Sequence, residues 1–205
     1  MPALLALMLV LAAASPAPAS AETLFVTFTG SVTDVPAELA AAFGPGDPIE
    51  GSFQIESTTP DTEPSPTEGE YAALSALSFS IGAYAVAGAA GDLHMRDGSG
   101  FMADDFFVSG LVSGDPVGGL SPIELSAEVA DSTLAAFASD DIPASLDLAD
   151  FDVTHAFLSF GDGGSTFVNV VASIDTLTYS TVPEPAAALL LQVGAAVLWA
   201  LRRRR

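Results

Sequence analysis

The chain has no cysteine and no lysine among its 205 residues. Without cysteine it can form no disulfide framework, no thiolate metal site and no cysteine nucleophile. Every positive side chain is an arginine, and four of the five stand at the end of the sequence as Arg202, Arg203, Arg204 and Arg205. The missing cysteine does not identify a compartment, so localisation has to be inferred from the two ends.

Between those ends the chain carries almost only negative charge. Of its 26 acidic residues, only Glu184 lies beyond Val182 and none precedes Glu22, which leaves 25 acids against Arg96 and a formal charge of −24. Such a field repels nucleic acid, which argues against DNA or RNA as a partner. It is typical of the solvated surface of a secreted protein, and it attracts cations.

The first residues have the pattern of a signal peptide. Residues 1–11 form an apolar run that is too short to span a bilayer and lacks the polar face of a core helix. Ala19, Ser20 and Ala21 supply the small-x-small pattern that signal peptidase reads, so cleavage is predicted after Ala21, with Glu22 as the new first residue. No basic residue precedes the apolar run, so either the signal is atypical or translation starts upstream.

At the C-terminus a proline-rich break precedes an apolar run and the arginine block. The break consists of Val182, Pro183, Glu184 and Pro185, and proline there interrupts regular structure because it lacks an N–H. Residues 186–201 are mostly apolar, and Gln192 interrupts them. As a helix they would reach about 24 Å, a marginal length for one transmembrane helix. Arginines stay cytoplasmic, so residues 22–181 are expected to face outward.

This tail resembles the PEP-CTERM sorting signal, whose motif is carried here by Pro183, Glu184 and Pro185. The resemblance implies a membrane anchor at residues 186–201, a stop at the four arginines, and cleavage near the motif by an exosortase. It implies export through the inner membrane of a Gram-negative bacterium to the cell surface or an extracellular polysaccharide matrix. Gln192 departs mildly from the apolar pattern.

The two ends together divide the chain into a signal peptide at 1–21, an acidic domain at 22–181 and a sorting signal at 182–205. Residues 46–53 are also similar to the GDP-x-x-G-x-F hairpin of exported domains that often carry this tail.

Period-two alternation dominates the acidic domain and predicts half-buried strands. Strands are predicted at residues 24–32, 49–56, 74–86, 106–112, 123–129, 151–160 and 167–179. Their number and the Gly, Pro and Asp turns between them predict an all-β fold, an antiparallel β-sandwich or jelly roll. Residues 58–70 read as an exposed loop. Residues 131–138 read either as a helical turn capped by Asp131 or as a loop anchored by Leu134 and Phe137.

The sequence offers little that predicts catalysis. It has no Gly-x-Ser-x-Gly elbow, no phosphate-binding glycine loop and no His-Glu-x-x-His helix. His155 shares its parity with Phe151, Val153 and Phe157 and is predicted to be a packed core histidine, while His94 is predicted to be exposed. Adjacent acids such as Asp104-Asp105, Asp140-Asp141 and Asp150-x-Asp152 are expected by chance in so acidic a chain. We therefore expect no enzyme.

Calcium is the one ligand that the acidic residues favour. Calcium takes several oxygen ligands, and the candidates are Asp92, Asp97, Asp104 and Asp105 in one Gly-rich stretch. The expected role is that of a structural surface or matrix protein. The alternatives are a carbohydrate- or calcium-binding module and, less favoured, a glycoside hydrolase using Asp150 or Asp152. A lectin would want exposed aromatics, but Trp199, the one tryptophan, lies in the tail.

Overall fold

Ten antiparallel strands make up most of the part of the chain that the structure, a computed structural model, describes: residues 22–98 and 103–182. The strands are β1 (Thr23–Asp34), β2 (Pro48–Glu56), β3 (Glu68–Ile81), β4 (Tyr84–Gly88), β5 (Gly91–Arg96), β6 (Asp104–Leu111), β7 (Ser113–Gly114), β8 (Ser121–Asp131), β9 (Val153–Gly161) and β10 (Phe167–Val182). The signal peptide, the anchor residues 186–201 and Arg202 to Arg205 lie outside the described residues.

Eight of these strands close into a barrel. Following the hydrogen-bonded ladders, the order is β1, β2, β3, β5, β6, β8, β9 and β10, and β10 pairs with β1 again. The two remaining strands extend one wall, because the second half of β3 pairs with β4 and β4 pairs with the short β7. The first half of β3 pairs with β5 instead.

The prediction of an all-β, antiparallel fold is confirmed, but the described strands form one closed ladder and not the two stacked sheets of a sandwich or jelly roll. Alternation of apolar and polar residues is the same in both architectures, since each strand has one face toward the core in either case. What differs is the long-range pairing of β1 with β10, which runs from Thr23 opposite Val182 to Asp34 opposite Val171.

The core follows from the alternation. In β1, Val26 and Phe28 point inward and are buried, whereas Thr27 and Thr29 between and beside them are exposed. The ring of Phe28 lies 6.2 Å from that of Phe53 and 6.1 Å from that of Phe79, between centroids. Eight-stranded barrels have an interior that side chains alone can fill, and these rings occupy its middle.

One predicted strand, one strand that was not predicted and the placement of His155 need correction. The predicted strand at 74–86 is a hairpin, because Gly82, with φ +56, turns the chain between β3 and β4. Strand β5 was not predicted as such, since its sequence is polar and Gly-flanked. His155 is not a core residue: Ala156, Leu158 and Phe160 are the buried hydrophobic residues of β9, and His155 and Phe157 share the outer face.

We name the two ends of the barrel the hairpin end and the terminal end. At the hairpin end, the β1–β2 connection inserts the buried Leu39 and Phe43, and the ring of Phe43 lies 5.3 Å from that of Tyr84. At the terminal end, where β1 begins and β10 ends, residues 57–67 join β2 to β3 and the long 132–152 connection joins β8 to β9.

Residues 131–138 form no helix, which settles the alternative in favour of a loop. Of its two predicted anchors, Phe137 packs against Phe151 with 5.6 Å between ring centroids, while Leu134 is 48 % exposed. The 132–152 connection instead contains a single 3₁₀ turn, Leu148–Asp150, which Asp147 caps by accepting a hydrogen bond from the Ala149 amide at 3.0 Å.

Candidate functional site

The interior of the barrel, as far as the described residues line it, offers no ligand cavity. Between Phe28, Phe53 and Phe106 there remains a void of about 10 Å³, which is too small to hold anything larger than one water molecule. Ligand pockets are commonly several hundred Å³ and concave. Any recognition by this domain therefore has to use its outer walls or its loop-bearing ends.

One wall gathers every basic side chain of the described residues. His94 and Arg96 on β5 and His155 on β9 all point outward, so we call the outer face of β3, β5, β6, β8 and β9 the basic wall. Its members lie in two rows that the strand register defines. One row is Glu70, His94, Phe107, Glu128 and His155, and the next is Glu68, Arg96, Asp105 and Ala130.

The two histidines are held against aromatic rings but do not form one centre. The His94 ring lies 6.0 Å from that of Phe107, and the His155 ring lies 5.9 Å from that of Phe157. Two strands, β6 and β8, separate them, which places them about 14 Å apart at the usual strand spacing. They cannot act on one substrate atom together, although each is accessible from outside.

Asp105 is the unusual member of this wall. Its side chain is only 9 % exposed, and Oδ2 accepts a hydrogen bond from Arg96 Nη1 at 3.3 Å. Oδ1 is buried and has no hydrogen-bond partner among the described residues. Burial, together with the charge of Glu128, raises the pKa of Asp105 to about 6, and Arg96 offsets only part of this.

Two other buried acids serve the loops of the terminal end. Asp104 accepts hydrogen bonds from the amides of Gly98 at 2.8 Å and Phe137 at 2.9 Å. Asp131 accepts from the Ala135 amide at 2.8 Å and from the amide and hydroxyl of Thr133 at 2.8 and 2.7 Å. These bonds lower the pKa of Asp131. Both carboxylates hold the loop backbone by hydrogen bonds, a role that their sequence pattern did not predict.

The four calcium candidates are not brought together. Asp92 is exposed near the start of β5, Asp97 follows β5, Asp104 is occupied by two backbone amides, and Asp105 pairs with Arg96. Across residues 22–98 and 103–182, no three His, Cys, Asp or Glu side chains are close enough to share a metal ion. The geometry gives the calcium hypothesis no support.

The other acid pairs are also engaged in local structure. Asp152 accepts hydrogen bonds from the amide and hydroxyl of Ser132, and these lower its pKa, with the hydroxyl as the largest cause. Asp150 ends the 3₁₀ turn. Asp162 bonds the amides of Gly164 and Thr166 in its own turn. They are turn-forming residues, and nothing in these contacts sets them up as an acid and base pair.

A second wall is distinctive because it is nearly uncharged. Short hydroxyl side chains point outward from β10, β1, β2 and β3 in two adjacent rows, which we call the hydroxyl wall. The first row is Thr178, Thr27, Ser52 and Ser78, and the second row is Thr176, Thr29, Glu50 and Ser80. Ser52 and Ser78 lie 2.7 Å apart between hydroxyl oxygens, and a shallow depression of about 370 Å³ lies over these rows. Glu50 is their one charge.

The three tyrosines are used for anchoring. Tyr71 donates from its hydroxyl to the carbonyl of Asp140 at 2.9 Å, and Tyr84 donates to that of Asp115 at 2.9 Å. Tyr179 donates to the carbonyl of Pro143. Each ring thus fastens a connection to the barrel, and this makes the tyrosines poor platforms for stacking on sugars.

The predicted processing residues fall at or beyond the limits of the described residues. Glu22 precedes β1 and Val182 ends β10, whereas Ala19, Ala21, Pro183, Glu184 and Pro185 lie outside. No helix among the described residues is long and apolar enough to cross a membrane. The chain matches no protein-family model, no curated protein and no solved structure.

Proposed function

We propose that this chain is an exported cell-surface or extracellular-matrix protein, and that its barrel is a non-catalytic module displayed by a C-terminal sorting signal. Signal peptidase would cut after Ala21, and an exosortase would cut near Pro183-Glu184-Pro185. Until that second cut, residues 186–201 would hold the protein in the inner membrane of a Gram-negative bacterium.

The tail carries this proposal: a Pro-Glu-Pro motif, an apolar run and four arginines follow in that order. The strand bounds agree with it. Strand β1 begins at Thr23 and β10 ends at Val182, and these two residues are cross-strand partners. Both predicted cuts therefore lie, along the sequence, outside the span from Thr23 to Val182.

Mass spectrometry of the protein from the cell-surface fraction tests the proposal. We expect Glu22 as the first residue and a C-terminus near residues 182–185. Replacing Glu184 with Ala should leave Arg205 attached and keep the protein in the membrane fraction. Pro116→Ala, at an exposed position between β7 and β8, is the control and should be processed normally. A surface form that retains Arg205 in the unaltered protein would contradict exosortase processing.

The hydroxyl wall favours a second candidate role, the binding of a neutral glycan. Hydroxyl groups both donate and accept hydrogen bonds, and a neutral polymer escapes repulsion by the surrounding carboxylates, whereas a polyanion would not. A glycan array tests this role. We expect neutral glycans to bind and Ser78→Glu to abolish the signal, while Thr58→Glu, in an exposed loop, leaves it intact. An array without hits would remove this role and leave the first proposal standing.

A further inference from the structure

Asp105 places a carboxylate oxygen in surroundings that do not suit a charged group. The residue points outward from β6, yet only 7 % of it is exposed, and Oδ1 has no donor among the described residues. An ionised carboxylate that loses water without gaining a donor is unfavourable. Protonation removes the charge, and it also turns one oxygen into a donor.

The charge of Glu128 reinforces the preference of Asp105 for its protonated form. Glu128 lies diagonally across the β6–β8 ladder, because Asp105 pairs with Ala130 and Phe107 pairs with Glu128. Arg96 is the opposing charge, but its side chain is 51 % exposed, so water screens part of its attraction. Other titratable groups of this wall are Glu68 opposite Arg96, Glu70 opposite His94, Asp92 on β5, and His155 opposite Glu128.

We propose that Asp105, with Glu128 and Arg96 beside it, is a proton-binding site that tightens the terminal end of the barrel when the surroundings become mildly acidic. The site does not depend on the proposed sorting or on glycan binding.

Asp104 connects this site to the loops. It is the neighbour of Asp105 in the chain, and the two side chains leave β6 on opposite faces. Inside, Asp104 bonds the amides of Gly98 and Phe137, which belong to the connections before β6 and after β8. The unfavourable burial of a charge at Asp105 therefore acts on the strand end that holds both loops, and proton uptake relieves it.

The direction of the effect follows from linkage. A carboxyl whose pKa is about 6 in the folded protein and about 4 in the unfolded chain binds its proton more tightly when folded. Stability is therefore gained as the pH falls from above 6 toward 4. A difference of about two pKa units corresponds to a change in the unfolding constant of order 10- to 100-fold.

Urea unfolding of the purified full-length chain at pH about 7.5 and about 5 measures this. We expect Asp105→Asn to be more stable than the unaltered protein at the higher pH and to lose most of the pH-dependent gain. Glu128→Gln should reduce the gain. The control is Asp92→Asn, an exposed acid of the same wall, which should keep it. If Asp105→Asn keeps the full gain, the proposal is wrong.

Two measurements on the unaltered protein keep the test independent of how the variants fold. The carboxyl carbon of Asp105 should titrate by NMR with a midpoint near 6, and a midpoint at about 4 or below would overturn the proposal. The amides of Gly98 and Phe137 should exchange more slowly at pH about 5 than at about 7.5, after correction for intrinsic rates. Unchanged protection would overturn the coupling to the loops.

Discussion

Asp104 and Asp131 are cross-strand partners at the terminal end of β6 and β8, and both are buried, with 0 % and 4 % of each residue exposed. Two carboxylates so placed would destabilise the fold unless each were neutralised or fully hydrogen-bonded. Each instead bonds backbone amides of the loops at this end. The pair thus attaches the first residues, 133–137, of the long 132–152 connection.

Asp104→Asn should weaken this attachment. The amide of Asn presents one oxygen where Asp104 presents two, so either the Gly98 or the Phe137 amide is left without its acceptor. We expect a loss of about 1–3 kcal/mol in the free energy of unfolding, measured in urea, with faster exchange of the amide that loses its bond. Asp92→Asn is the exposed control, and an equal effect of both variants would refute this role.

Asp131→Asn should change the response to acid. Hydrogen bonds from Ala135 and Thr133 lower the pKa of Asp131 in the folded protein, so its contribution is present above the unfolded pKa of about 4 and is lost as the pH falls through the lower, folded pKa. The variant should be less stable than the unaltered protein at neutral pH, and the gap should narrow in strong acid. Asp115→Asn is the exposed control. A gap that stays constant down to pH about 2 would contradict this explanation.

Gly51→Ala should strain the core. A Cβ added at Gly51 would lie 2.0 Å from the Phe28 ring, whereas one at Gly44 would meet nothing within 4 Å. We expect Gly51→Ala to cost about 1–3 kcal/mol and Gly44→Ala to have little effect in urea unfolding. The double variant Gly51→Ala with Phe28→Leu should recover part of the loss, because the ring is the group that clashes. If the losses simply add, the clash lies elsewhere.

The three tyrosines should ionise at a higher pH in the folded protein than in the unfolded chain. Burial, followed by nearby acids, raises the pKa of Tyr71 and of Tyr84 to about 12, and burial raises that of Tyr179 further. In a spectrophotometric titration the folded protein should show little phenolate at pH about 11, whereas the urea-unfolded chain should titrate near 10. Tyr71→Phe should remove about a third of the final amplitude. A third of the signal appearing near pH 10 in the folded state would mean that one hydroxyl is free.

Much of the strand content could be predicted because alternation is a local property. The strand predicted at 24–32 lies within β1, and the one at 49–56 within β2. Closure into a barrel could not be predicted, since it depends on the pairing of Thr23 with Val182 across the whole domain. The sequence also failed for β9, where Phe157 on one face and Phe160 on the other make both phases look apolar. Ala156, whose partners Ala127 and Ala172 are buried too, identifies the inner face.

The site was less predictable than the fold. The sequence drew attention to Asp104 and Asp105 only as neighbouring acids, and adjacent residues of a strand face opposite sides. The inner one fastens loops, and the outer one is buried beside Arg96. The composition did contain a clue. Residues 22–182 have one arginine and two histidines among many acids, so the surface on which these three residues lie is a candidate site. Their common wall becomes visible only when β5 is paired with β6 and β8 with β9.

The β1–β10 seam determines when the domain can fold. Its two strands are the first and the last of the barrel, so β1 has one of its two neighbours missing until residues near Val182 are available. Contacts so distant in sequence form late. During synthesis the chain therefore remains open along this seam while earlier strands are made, and it completes the barrel only after its last strand has been released. If the chain is exported as we propose, such a delay would keep it unfolded while it is threaded across the membrane.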